Sequence, residues 1–92
     1  MREEKRIYVD FQKIDNQRRL VLTCLGTIQD LARHGIELKE GLVLTFYSDD
    51  ADEKGNPDEL IVQGRVSYDE VQKHWTATID WRAIRHVSEL HE

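Results

Sequence analysis

From His74 to Asp80 the chain alternates without a break. Trp75, Ala77, Ile79 and then Trp81 share one parity, and His74, Thr76, Thr78 and Asp80 share the other. A period of two sends successive side chains to opposite faces, so the pattern predicts a half-buried β-strand. Leu60 to Tyr68 carries the same signature, with Leu60, Val62, Gly64, Val66 and Tyr68 on one face. Gly64 in its middle predicts a bulge or a sharp bend. A turn at Asp69–Gln72 joins the two runs into an antiparallel ribbon whose apolar stripes are expected to meet in one core. Each indole buries about 150–250 Å² when enclosed, so Trp75 and Trp81 are expected inside.

The rest of the chain extends this β pattern. Residues 6–12 alternate, with Ile7, Val9 and Phe11 on one face. A turn-prone stretch around Asp15-Asn16 follows, then a second branched run, Arg19 to Leu25. Together they predict an N-terminal β-hairpin over 6–25. After Gly26, Thr27 and Asp30 have the spacing of a capping box, and Ile28, Leu31 and Ala32 fit a helical face. A short helix is predicted over 28–34, stopped by Gly35 in the left-handed conformation. Lys39-Glu40-Gly41 is a turn, and Leu42 to Ser48 is a strand with apolar residues on both faces, hence central. Trp81 to Ile84 is one helical turn and Arg85 to Ser88 a last short strand. No repeat or linker divides the 92 residues, so residues 1–92 are expected to form a single domain.

Charge and composition exclude several classes. No apolar run approaches the roughly 20 residues of a membrane span, so no membrane partner is expected. The opening MREEKRIYVDF has no continuous apolar stretch of the kind a secretory signal carries. The single cysteine, Cys24, allows neither an internal disulfide nor a Cys/His zinc cluster. It shares parity with Leu20 and Leu22, which makes it a packing residue. These features lead to the expectation of a reducing, cytoplasmic setting. Residues 49–59 hold six carboxylates (Asp49, Asp50, Asp52, Glu53, Asp58, Glu59) against the one base Lys54. That segment therefore accounts for the whole formal net charge of −5, and the remainder is neutral. A neutral body with an acidic loop is a poor polyanion binder, so nucleic acid is not the expected partner. The best basic cluster, Arg2, Lys5, Arg6, Lys13, Arg18 and Arg19, is offset by Glu3, Glu4, Asp10 and Asp15 and reads as a solvated face.

The order of elements from residue 36 to 88 resembles an SH3-like barrel. The glycine turn, the strand 42–48, the long acidic loop, the two-strand ribbon, the single helical turn and the last strand follow one another as in that fold. The resemblance implies a mainly β domain, α+β at the margin: a small SH3-like β-barrel, closed or nearly so, with an added N-terminal hairpin and one short helix. The chain also resembles a group of small bacterial proteins through IYVDFQ, SDDADEKGNPDEL and IDWRAIRH. That group implies no activity.

Candidate chemistry is sparse. Asp50, Asp52, Gly55 and Asp58 fall on positions one, three, six and nine of a calcium loop, but Lys54 stands at five and Ile61 at twelve, where oxygen ligands belong. Weak calcium binding is one alternative reading of the loop. A site on His74, Asp80 and His86 is disfavoured, because His74 and Asp80 are about 20 Å apart along one strand. No catalytic motif is present, so no enzyme activity and no cofactor are expected. The leading expectation is a non-catalytic protein-interaction module, monomeric or homodimeric. It would bind a protein partner through Asp49, Asp50, Asp52, Glu53 and Asp58 with the aromatic and cationic neighbours Tyr47, Trp81 and Arg82. A small RNA- or ribosome-associated barrel is the other alternative.

Overall fold

A computed structural model describes residues 5–51 and 53–90. In chain order they form β1 (Arg6–Tyr8), β2 (Leu20–Val21), α1 (Leu25–Arg33), β3 (Val43–Ser48), β4 (Leu60–Asp69), β5 (His74–Ile79) and β6 (Arg85–His86). Single 3₁₀ segments lie at Trp81–Ala83 and Val87–Leu90. The domain is mainly β.

β4 is the spine of the sheet. Its first half pairs antiparallel with β3, from Ser48↔Leu60 to Val43↔Arg65. Its second half pairs with β5, from Gly64↔Ile79 to Asp69↔His74. β6 pairs with its start at Leu60↔His86. The two alternating stripes do line one core: Val62 and Val66 from β4 join Ala77 and Ile79 from β5 around Phe46. Ile7, Val9, Leu20 and Leu22 complete it. Both indoles stay half-buried at its margin. Trp75 packs edge-on against the exposed Tyr68, with ring centroids 5.1 Å apart.

The N-terminal hairpin is not formed. The turn exists, with Asp15 N donating to Arg19 O and an isolated bridge at Ile14↔Leu20. The first strand does not reach it. Lys13 N donates to Asp10 O, and Gln12 N donates to the Asp10 carboxylate, which bends the chain away after Val9. β1 instead runs parallel to β3 (Ile7↔Phe46), and β2 runs antiparallel to β5 (Leu20↔Ala77). The strand path is β1-β3-β4-β5-β2, so the two supposed hairpin strands stand at opposite ends of an open sheet.

Closure is replaced by side chains. The helix begins at Leu25, three residues before the predicted start, and Cys24 caps it without a side-chain bond. Thr27 and Asp30 are not a capping pair. Both are buried and aimed at β1: Thr27 Oγ1 donates to Tyr8 O at 2.6 Å, and Tyr8 N donates to Asp30 Oδ2 at 2.9 Å. In a parallel pair the N–H and C=O of alternate residues point away from the partner strand. Tyr8 is that residue here, and the helix occupies the edge where a further strand would add. Gly26 permits the approach, since a Cβ there would lie 2.7 Å from the Tyr8 ring. Gly35, at φ +66°, ends the helix as predicted.

Asp30 is 4% exposed, so Asp30→Ala should leave the Tyr8 amide without its acceptor and cost about 1–3 kcal/mol. Urea denaturation checks this, together with faster hydrogen exchange at the Tyr8 amide. An unchanged midpoint would mean that the clamp carries no stability.

Candidate functional site

The acidic loop leaves β3 after Ser48 and re-enters the sheet at Leu60. It is a folded excursion. Asp58 N donates to Asp50 O at 2.9 Å, Ala51 and Pro57 form an isolated bridge, and Gly55 takes φ +85° at the tip.

Two of its carboxylates are tied to the C-terminal segment. Asp50 Oδ2 lies 2.7 Å from His86 Nε2. Asp58 accepts from both Ser88 N (3.0 Å) and Ser88 Oγ (2.7 Å). Behind them Glu89 Oε1 accepts from His86 N at 2.7 Å, and Val87 N donates to Glu59 O at 2.7 Å. The hydrogen bond to Asp50 pushes the His86 imidazole above its ordinary value, partial burial opposes this, and the charges of Asp58, Asp50 and Glu89 add to the rise. The bonds from His86 and from the Ala51 backbone hold Asp50 below the usual carboxylate range. The Ser88 bonds do the same for Asp58. Asp49 and Glu53 remain exposed on this anchored loop. Asp52 lies outside the described residues.

The aromatic residues do not form one surface with the loop. Tyr47 is half-buried, edge-to-face with Tyr8 at 5.7 Å between ring centroids. Burial first, then the negative charges of Asp30, Glu59 and Asp49, push its hydroxyl upward. Tyr47 is therefore a packing residue at the foot of the loop. Trp81 belongs to another corner: Nε1 donates to Arg18 O at 2.9 Å, the Arg18 guanidinium sits 5.2 Å from the ring centroid, and Phe11 meets it edge-on at 6.2 Å. The Arg82 side chain is 92% exposed and lies 3.5 Å from the Asp80 carboxylate.

Two features escaped the reading of the sequence. One is the anchoring of the loop by His86, Ser88 and Glu89. The other is a groove of about 490 Å³ between the turns at 14–17 and 69–72, lined by Ile14, Val21, Val71 and His74. Arg19 joins its walls at 2.7 Å to both Asp15 and Asp69. Asp15 and Asp69 also accept backbone N–H bonds within their own turns, which leaves the groove with little free charge. Among the described residues no group of three or more His, Cys, Asp or Glu side chains is placed to hold a metal ion. No helix among them is long and apolar enough to cross a membrane. No family model, curated protein or solved structure matches the chain.

Proposed function

We propose that this chain is a non-catalytic protein-interaction module of SH3-like architecture that presents its acidic loop to a basic partner segment in a reducing, cytoplasmic setting. The architecture is supported by the β3-β4-β5 meander and the 3₁₀ turn that leads into β6. The observation that carries the binding reading is the double anchorage of the loop, Asp50 to His86 and Asp58 to Ser88. A loop already fixed loses less conformational freedom when a partner binds, so more of the interaction energy appears as affinity. Its concentrated negative charge steers a basic partner into place. Asp49 and Glu53, exposed beside the anchored pair, are the contact residues in this reading, with Arg82 outside it.

The alternatives have weaker support. Calcium would compete with Ser88 and His86 for Asp58 and Asp50. A nucleic-acid surface would need Arg19, whose guanidinium is held by Asp15 and Asp69.

Partner capture at low and high salt compares the wild type with the double variant Asp49→Asn, Glu53→Gln. Neither substitution touches an anchoring bond. Partners retained by the wild type at low salt should be lost from the variant and released by salt. Retention of every partner by the variant would remove the loop from the interface.

A further inference from the structure

Among the described residues the loop is fastened to the C-terminal segment at three points, and one of them changes charge near neutral pH. Asp58–Ser88 joins a carboxylate to a hydroxyl and an amide, and Glu59 O–Val87 N is backbone to backbone. His86–Asp50 is the fastening that changes charge near neutral pH. We propose that His86 is a pH-operated latch: its imidazolium form ties the acidic loop down through Asp50, and its neutral form holds the loop less tightly, so that the loop opens from the Asp50 end.

Among the described residues, the charges of Asp58, Asp50 and Glu89 all favour the protonated ring. Asp50 and Asp58 face it from the loop, and Glu89 Oε1 lies 3.8 Å from Nδ1 on the 3₁₀ segment. Glu59, at the end of the loop, is already engaged by Arg6 at 3.7 Å. Arg85, the neighbour on β6, directs its guanidinium to the carbonyls of Arg82 and Ile84. A cation at His86 therefore sits among three carboxylates. In the neutral ring Nε2–H still donates to Asp50, but the charge is gone and Nδ1 turns a lone pair toward Glu89.

The raised value of His86 means that the fold holds this proton more tightly than the unfolded chain does. The stabilisation is complete below the ordinary imidazole value of about 6.5 and is lost as pH rises through the raised value. Its lower limit is set by Asp50, whose value lies below the usual carboxylate range. The latch is thus closed through mildly acidic pH and opens on the alkaline side. It does not depend on what the loop binds.

The test is hydrogen exchange on the whole, partner-free chain, with the His86 ring titration followed by NMR in the same samples. The Asp58 amide, which donates to Asp50 O, reports the loop, and Phe46 in the core is the reference. After correction for intrinsic exchange, Asp58 protection should fall roughly two- to five-fold, the range of an exposed ion pair, with a midpoint on the His86 titration. Phe46 protection should stay constant. His86→Lys, which keeps a cation at all these pH values, should leave Asp58 protected and flat. Asp50→Asn should return the His86 titration toward its ordinary value and remove the loop transition. Asp58 protection that stays constant while His86 titrates, or a transition that survives in Asp50→Asn, overturns the latch.

Discussion

Phe46→Ala should be the most damaging truncation in this domain. The ring is fully buried, at the point where β3 is flanked by both neighbours: Phe46 pairs with Ile7 of β1 and with Val62 of β4. Removing a buried phenyl group costs about 3–5 kcal/mol in transfer energy and cavity together. A domain of this size has about 5–15 kcal/mol in all, and each kcal/mol moves Tm by about 4–8 °C. The variant should therefore melt at least roughly 12 °C lower, or fail to fold at 37 °C. Trp75→Ala, by contrast, removes a larger ring from a half-buried site where Tyr68 remains to cover the gap, and its loss should be smaller. Thermal denaturation of the two variants side by side gives the order. A Trp75 variant less stable than the Phe46 variant would place the centre of the core elsewhere.

That order differs from the one the sequence suggests, and the reason is general. Period-two alternation is a local signal, so β4 and β5, joined by a short turn, are legible with their common face. Burial depth is set by which strands flank a position. Nothing local in Leu42–Ser48 reveals that residues 6–8 will lie parallel beside it. The same limit explains the hairpin. The Asp15–Arg19 turn is correctly placed, but the Asp10 turn five residues earlier diverts the strand that should have entered it. Thr27 and Asp30 have the spacing of a helix cap, and spacing alone does not distinguish a pair that folds back on its own amides from one that reaches a neighbouring strand. In the site, the charge of residues 49–59 is obvious, whereas their anchors lie 36 residues away at His86 and 30 away at Ser88. A reading that takes each run of residues by itself shows the acids and misses what holds them.

Gly64 offers the second large effect, though not through the bulge its place in the sequence suggests: the register with β3 runs through it unbroken, and that with β5 begins at it. It lies where β4 is flanked on both sides, by Leu44 of β3 and Ile79 of β5. A Cβ at this position would stand 2.7 Å from Ile79 Cγ2 and 2.9 Å from Phe46 Cε2. Neither atom is the end of a flexible chain: one is a methyl next to the β5 backbone, the other belongs to a rigid ring locked between strands. Gly64→Ala should therefore cost about 1–3 kcal/mol through overpacking, although Ala is the smallest possible change. The contact with Phe46 makes the two positions coupled. Phe46→Leu alone leaves a void on the side facing Gly64, and Gly64→Ala alone crowds that same space. In the double variant the new methyl occupies volume vacated by the ring. The double variant should then be more stable than the two single losses predict, by about 0.5–3 kcal/mol of coupling. Urea midpoints of the four proteins complete the cycle. Strict additivity would mean that the glycine is required by its backbone and not by the phenylalanine that packs across it.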